Sequence, residues 1–157
     1  MSILNAHDVV RFAVRIEEDG EAFYREAARL TDNQSAKELF LRLADDEVGH
    51  KRIFEGMAAA LGDYAPAETY QGEYVAYLRD YIDGKVVFRQ DMKNAMAPMK
   101  DVLSAFDFAI QRELDSVLYY QEIRAFVPEK HYSTVDGIIA EERRHFATLA
   151  EARKKYA

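Results

Sequence analysis

The stretches best equipped for chemistry are Glu47-Val48-Gly49-His50 and Glu142-Arg143-Arg144-His145. Each places a His three residues after a Glu. On an α-helix that spacing sets both side chains on one face, about one turn apart. A carboxylate and an imidazole so placed can reach the same ion. Each stretch also has an earlier Glu at nearly the same distance: Glu17 lies 30 residues before Glu47, and Glu113 lies 29 before Glu142. Together Glu17, Glu47, His50, Glu113, Glu142 and His145 read as one carboxylate-rich site for two metal ions. Four carboxylates facing one core would repel one another or take up protons, and two divalent cations cancel their charge. Oxygen and nitrogen donors of this kind suit Fe, Mn and Zn.

One Glu-x-x-His pair would carry little weight, because a lone Glu or His on a helix is usually solvated. Here two of the four histidines have it. Both pairs interrupt an apolar stripe, where a solvated acid does not belong. His7 and His131 lack this context and are expected near helix starts at the surface.

Four helices must position the set. The first starts near Asn5 or Ala6 and ends near Thr31-Asp32-Asn33, with a stripe of Val10, Ala13, Val14, Glu17, Gly20, Tyr24 and Ala28. Ser35-Ala36-Lys37-Glu38 reads as a capping box opening the second. Its stripe is Leu39, Leu43, Glu47, His50, Phe54, Met57 and Leu61, and Gly62 suits its end. The third runs from Asp101 to about Phe126 with Phe106, Ile110, Glu113, Val117, Tyr120 and Ile123 inside. The fourth starts between Glu129 and Thr134 and runs nearly to Tyr156, with Val135, Ile138, Ile139, Glu142, His145, Phe146 and Leu149 inside. Between the pairs, 63–99 holds Pro66, Gly72, Gly84 and Pro98. Tyr70, Tyr74, Tyr77 and Tyr81 suggest one short helix there, and Val86 to Met99 a second. The aromatic stripe is expected to pack on the bundle, with a homodimer contact as its other use.

The pattern repeats. Glu17, Asp19 and Tyr24 match Glu113, Asp115 and Tyr120 at an offset of 96, and the two Glu-x-x-His stretches differ by 95. A helix pair is used twice. The expected fold is therefore all-α: a single domain over 1–157, a four-helix bundle of two pairs joined by a long crossover. Tyr24 and Tyr120 fall two turns beyond Glu17 and Glu113. They are expected in the core, with hydroxyls able to bond the metal carboxylates or a ligand histidine. Asp19 and Asp115 face solvent or bond across the pseudo-twofold axis.

Composition narrows the chemistry. The 157 residues are 49% hydrophobic, enough for a full core and against disorder. A net charge of −7 gives no support for nucleic-acid binding and mildly favours attraction of cations. The absence of cysteine excludes disulfides, thiolate nucleophiles, iron–sulfur clusters and cysteine-ligated iron within the chain. Asp8 and Arg11 break any apolar run near the N-terminus, and no stretch approaches the ~20 apolar residues of a membrane span. A cytoplasmic protein is expected. Asp46 precedes Glu47 and Glu141 precedes Glu142, so no His-Glu-x-x-His zinc-protease motif exists.

These residues resemble the ferritin-like diiron superfamily, most closely its rubrerythrin branch, from about Asn5 to Tyr156. The motif is Glu17 with Tyr24, Glu47 with His50, Glu113 with Tyr120, and Glu142 with His145. The resemblance implies that Glu47 and Glu142 bridge two Fe ions, that Glu17 and Glu113 are terminal ligands, and that His50 and His145 each cap one ion. It implies a non-haem diiron oxidoreductase acting on H2O2 or O2 in oxidative-stress defence. The alternatives are a ferroxidase-type iron-handling protein and a non-catalytic metal-binding bundle. Two departures stand out. Rubrerythrins proper carry a cysteine-ligated domain that delivers electrons, so this chain would need an external donor such as a rubredoxin-like protein. Peroxide-reducing relatives carry a further Glu on the third helix, and one turn after Glu113 this chain has Ser116.

Overall fold

The computed structural model describes residues 5–64, 76–78, 80, 99 and 101–157. Helix α1 spans Ala6–Leu30 and α2 Gln34–Leu61, while α3 spans Val102–Phe126 and α4 Tyr132–Arg153. No strand occurs among the described residues. The helices pair α1 with α2 and α3 with α4, and α1 also lies against α3. The short helices expected within 63–99 fall largely outside the described residues. Of that region, 76–78 is helical, and Leu78 is buried in the core.

The helix ends follow local chemistry. At α1 the Asn5 side chain accepts from the Asp8 backbone N–H while Asp8 accepts from Asn5, a full capping box. At α2 the expected box at Ser35 gives way to Asn33, whose Oδ1 accepts from the Ala36 N–H at 2.9 Å. Asn and Ser are equal caps by chemistry, and Asn33 has the extended backbone a cap needs. Asn33 Oδ1 also accepts from the Tyr156 hydroxyl at 2.8 Å, which ties the end of the chain to the start of α2. Gly62 ends α2 at φ +53°, a left-handed conformation that favours glycine. Asp101 caps α3 through the Ser104 N–H at 2.8 Å.

The apolar residues form two clusters, one on each side of the helix midpoints. One joins the first half of α1 (Val9, Val10, Ile16) to the second halves of α2 and α3 (Phe54, Tyr120, Ile123) and the first half of α4 (Val135, Ile138). The other joins Phe23, Tyr24, Phe40, Phe106 and Leu149. Most of the expected inner stripes are buried. Ile110, Val117 and Phe146 are only partly so. Among the described residues no helix is long and apolar enough to cross a membrane.

Candidate metal centre

Between the two clusters, the middle turns of all four helices turn acids and imidazoles inward. Glu17, Glu47, His50, Glu113, Glu142 and His145 are all buried, the most accessible being His145 at 7%. Glu17, Glu47, His50 and Glu142 each offer a ligand atom within 4.8 Å of the others, and so do Glu47, Glu113, Glu142 and His145. Glu47 and Glu142 belong to both groups. The structure thus brings together all six residues singled out by spacing, in two overlapping quartets. His7 and His131 stand apart, each half-buried at a helix start.

The two imidazoles lie side by side, 5.6 Å between centroids and 25° between planes. Their Nδ1 atoms face the carboxylates: His50 Nδ1 is 2.7 Å from Glu142 Oε1, and His145 Nδ1 is 3.4 Å from Glu142 Oε2. Their Nε2 atoms face outward onto half-exposed acids. His50 Nε2 meets Glu141 Oε2 at 2.7 Å, and His145 Nε2 meets Asp46 Oδ2 at 3.3 Å. Each acid immediately precedes a site Glu and serves the histidine of the opposite helix pair. A carboxylate behind an imidazole fixes the ring's tautomer and orientation and makes the inner nitrogen a better donor. Spacing alone did not reveal these roles. The available signal was the acid before each Glu-x-x-His, which had served only to exclude a protease motif.

The tyrosines cross over as well. The Tyr24 hydroxyl of α1 donates to Glu113 Oε1 of α3, and the Tyr120 hydroxyl of α3 donates to Glu17 Oε1 of α1. Both rings are fully buried, so the core role and the carboxylate role coincide. Asp115 accepts from Gln111 within α3 at 3.1 Å. Asp19 is half-buried, and burial raises its carboxyl to about 6 against the attraction of Arg112 and Arg15.

Without cations to balance its charges, the cluster would be electrostatically strained. Burial, then the charges of Glu17 and Glu142, push Glu47 well above the ordinary carboxylate range. Burial opposes the charging of His50, yet the close carboxylates of Glu142 and Glu17 outweigh it and raise the ring to about 11. His145 rises to about 10 in the same way, with Glu113 and Glu142 outweighing burial. Despite these short distances, the inward atoms lack directed hydrogen bonds. Glu17 Oε2, His50 Nδ1, Glu113 Oε2, both Glu142 oxygens and His145 Nδ1 are buried without a hydrogen-bond partner. Buried polar atoms are normally satisfied, and cations placed among these would satisfy them together. The donor set and its orphaned atoms fit a dinuclear iron site.

The rubrerythrin family model matches residues 8–153. A Thermotoga maritima crystal structure, described as a candidate ferritin-like diiron-carboxylate protein, superposes with a TM-score of 0.71 at 27% identity. The match covers 100% of this chain and 99% of that one. No curated protein matches the chain.

Proposed function

This chain belongs to the rubrerythrin family, and from that membership we propose that it is a non-haem diiron oxidoreductase acting on peroxide or dioxygen with an external electron donor. The supporting observation is the pair of ligand quartets that share Glu47 and Glu142. Glu47 and Glu142, common to both quartets, would hold both ions. Glu17 with His50 would complete one position, and Glu113 with His145 the other. Bound iron would supply the redox chemistry, one electron per ion. Mn or Zn would suit the same donors.

The remaining groups hold the site still. Tyr24 and Tyr120 each occupy one oxygen of a terminal carboxylate and leave the other, Glu113 Oε2 or Glu17 Oε2, free to bind. Glu141 and Asp46 aim the imidazoles. The apolar clusters on either side keep water from the centre. The external donor proposed is an electron carrier such as a rubredoxin-like protein.

The test is anaerobic loading with Fe²⁺ to two ions per chain, followed by H2O2 or air. Charge-transfer absorption of a ferric pair should appear, and with a reductant present peroxide should be consumed catalytically. A fully loaded protein that shows neither would refute the proposal. Uptake of many irons per chain in a large cage would identify an iron store instead.

A further inference from the structure

On the α1/α3 side of the site the duplicated pattern breaks. The offset of 96 that relates Glu17 to Glu113 relates Ile16 to Arg112 and Gly20 to Ser116. Among the described residues Arg112 is the one buried Arg or Lys, at 8% exposure. Its Nη2 donates to the Ile16 carbonyl at 3.2 Å, and its Nε is buried without a hydrogen-bond partner. A Cβ added to Gly20 would lie 2.5 Å from Arg112 Nη2 and 2.8 Å from Glu47 Oε2. The missing side chain at Gly20 therefore leaves the space beside which both this guanidinium and this carboxylate end.

A guanidinium stays charged at any ordinary pH. Buried with so few hydrogen bonds, it is costly unless opposite charges offset it. Glu47, Glu113 and Glu17 supply those charges. These are the same carboxylates that metal ions would claim, so Arg112 and the metals compete for one field. A fixed positive charge repels an incoming cation, and repels a trivalent ion more than a divalent one.

We infer that Arg112 is an internal counter-cation of the metal cradle: a positioning residue whose fixed charge offsets part of the charge of the cradle's carboxylates and weakens metal binding when the cradle fills. The inference rests on the two-metal reading of the site. It makes metal uptake more reversible than the ligand set alone would allow, and favours the reduced over the oxidised iron pair.

The test compares wild type, Arg112→Met, of similar length but neutral, and Arg112→Lys, which keeps the charge. Co²⁺ affinity is measured by competition with a chromophoric chelator, and the melting point of each metal-free protein is recorded. Arg112→Met should bind Co²⁺ about 10-fold more tightly or better, and its metal-free form should melt lower. Arg112→Lys should stay close to wild type. With iron loaded, the reduction potential should fall in Arg112→Met and not in Arg112→Lys. If Arg112→Met accumulates only in the loaded state, its rate of metal loss to a chelator should be slower than wild type. Equal or weaker affinity, or equal or faster loss, in Arg112→Met would overturn the inference while the metal reading stood. Wild type that takes up no Co²⁺ would overturn both.

Discussion

Metal loading should expel protons, and the structure says roughly how many. In the metal-free site His50 titrates at about 11 and His145 at about 10, so both rings are charged at pH 7. An imidazole or carboxylate must lose its proton to bind metal. Filling both positions near pH 7 should therefore release about two protons, one from each ring. The apparent constant for loading the pair should then rise about a hundredfold per pH unit. Calorimetric titration with Co²⁺ in buffers of different ionisation heat counts the protons directly. Affinities at pH 6.5, 7.0 and 7.5 give the slope. Release of one proton or fewer would mean that the histidines are neutral in the metal-free protein, and the charge balance argued above would fail.

Three further outcomes follow from the same geometry. Glu47→Ala or Glu142→Ala removes a residue common to both quartets and should abolish binding of the pair, whereas Glu17→Ala or Glu113→Ala should leave one position; metal analysis per chain separates the cases. Asp46→Ala and Glu141→Ala should each weaken metal binding about 10- to 100-fold by freeing one imidazole, read by chelator competition. The metal-free fold should lose stability as pH rises. Folded-state values for His50 and His145 lie above the ordinary 6.5, so their contribution is complete below about pH 6.5 and fades towards pH 10 to 11. A metal-free melting point that climbs between pH 6.5 and 9 would refute this.

The six inward residues were legible because helical periodicity turns sequence spacing into a face, and an acid on an apolar face is conspicuous. Glu17 and Glu113 were found by matching intervals, an advantage that a duplicated scaffold provides. The cap of α2 was misplaced at Ser35 because Asn33 and Ser35 are interchangeable as local signals, and the contact from Tyr156 to Asn33 is invisible in a linear reading. Arg112 was missed for a similar reason. Beside Glu113 in sequence it looks like a solvated charge, and only the absence of a Cβ at Gly20, on another helix, gives it a buried place. Asp46 and Glu141 went unread because each acts on the histidine of the other helix pair.

That crossing pattern bears on how the site and the fold specify each other. The backbones approach most closely within the pairs α1/α2 and α3/α4. The site's outer contacts run between the pairs: Tyr24 to Glu113, Tyr120 to Glu17, Glu141 to His50 and Asp46 to His145. Apolar packing tolerates many registers between two helix pairs, because hydrophobic contact is non-directional. A slip of one turn would break all four polar links together and leave buried carboxylates without donors, a cost of several kcal/mol for each ion. Polar contacts of this kind therefore select one register from the many that burial would accept. Metal ions would then enter a cradle whose geometry the protein has already set, with Arg112 supplying part of the positive charge until they arrive.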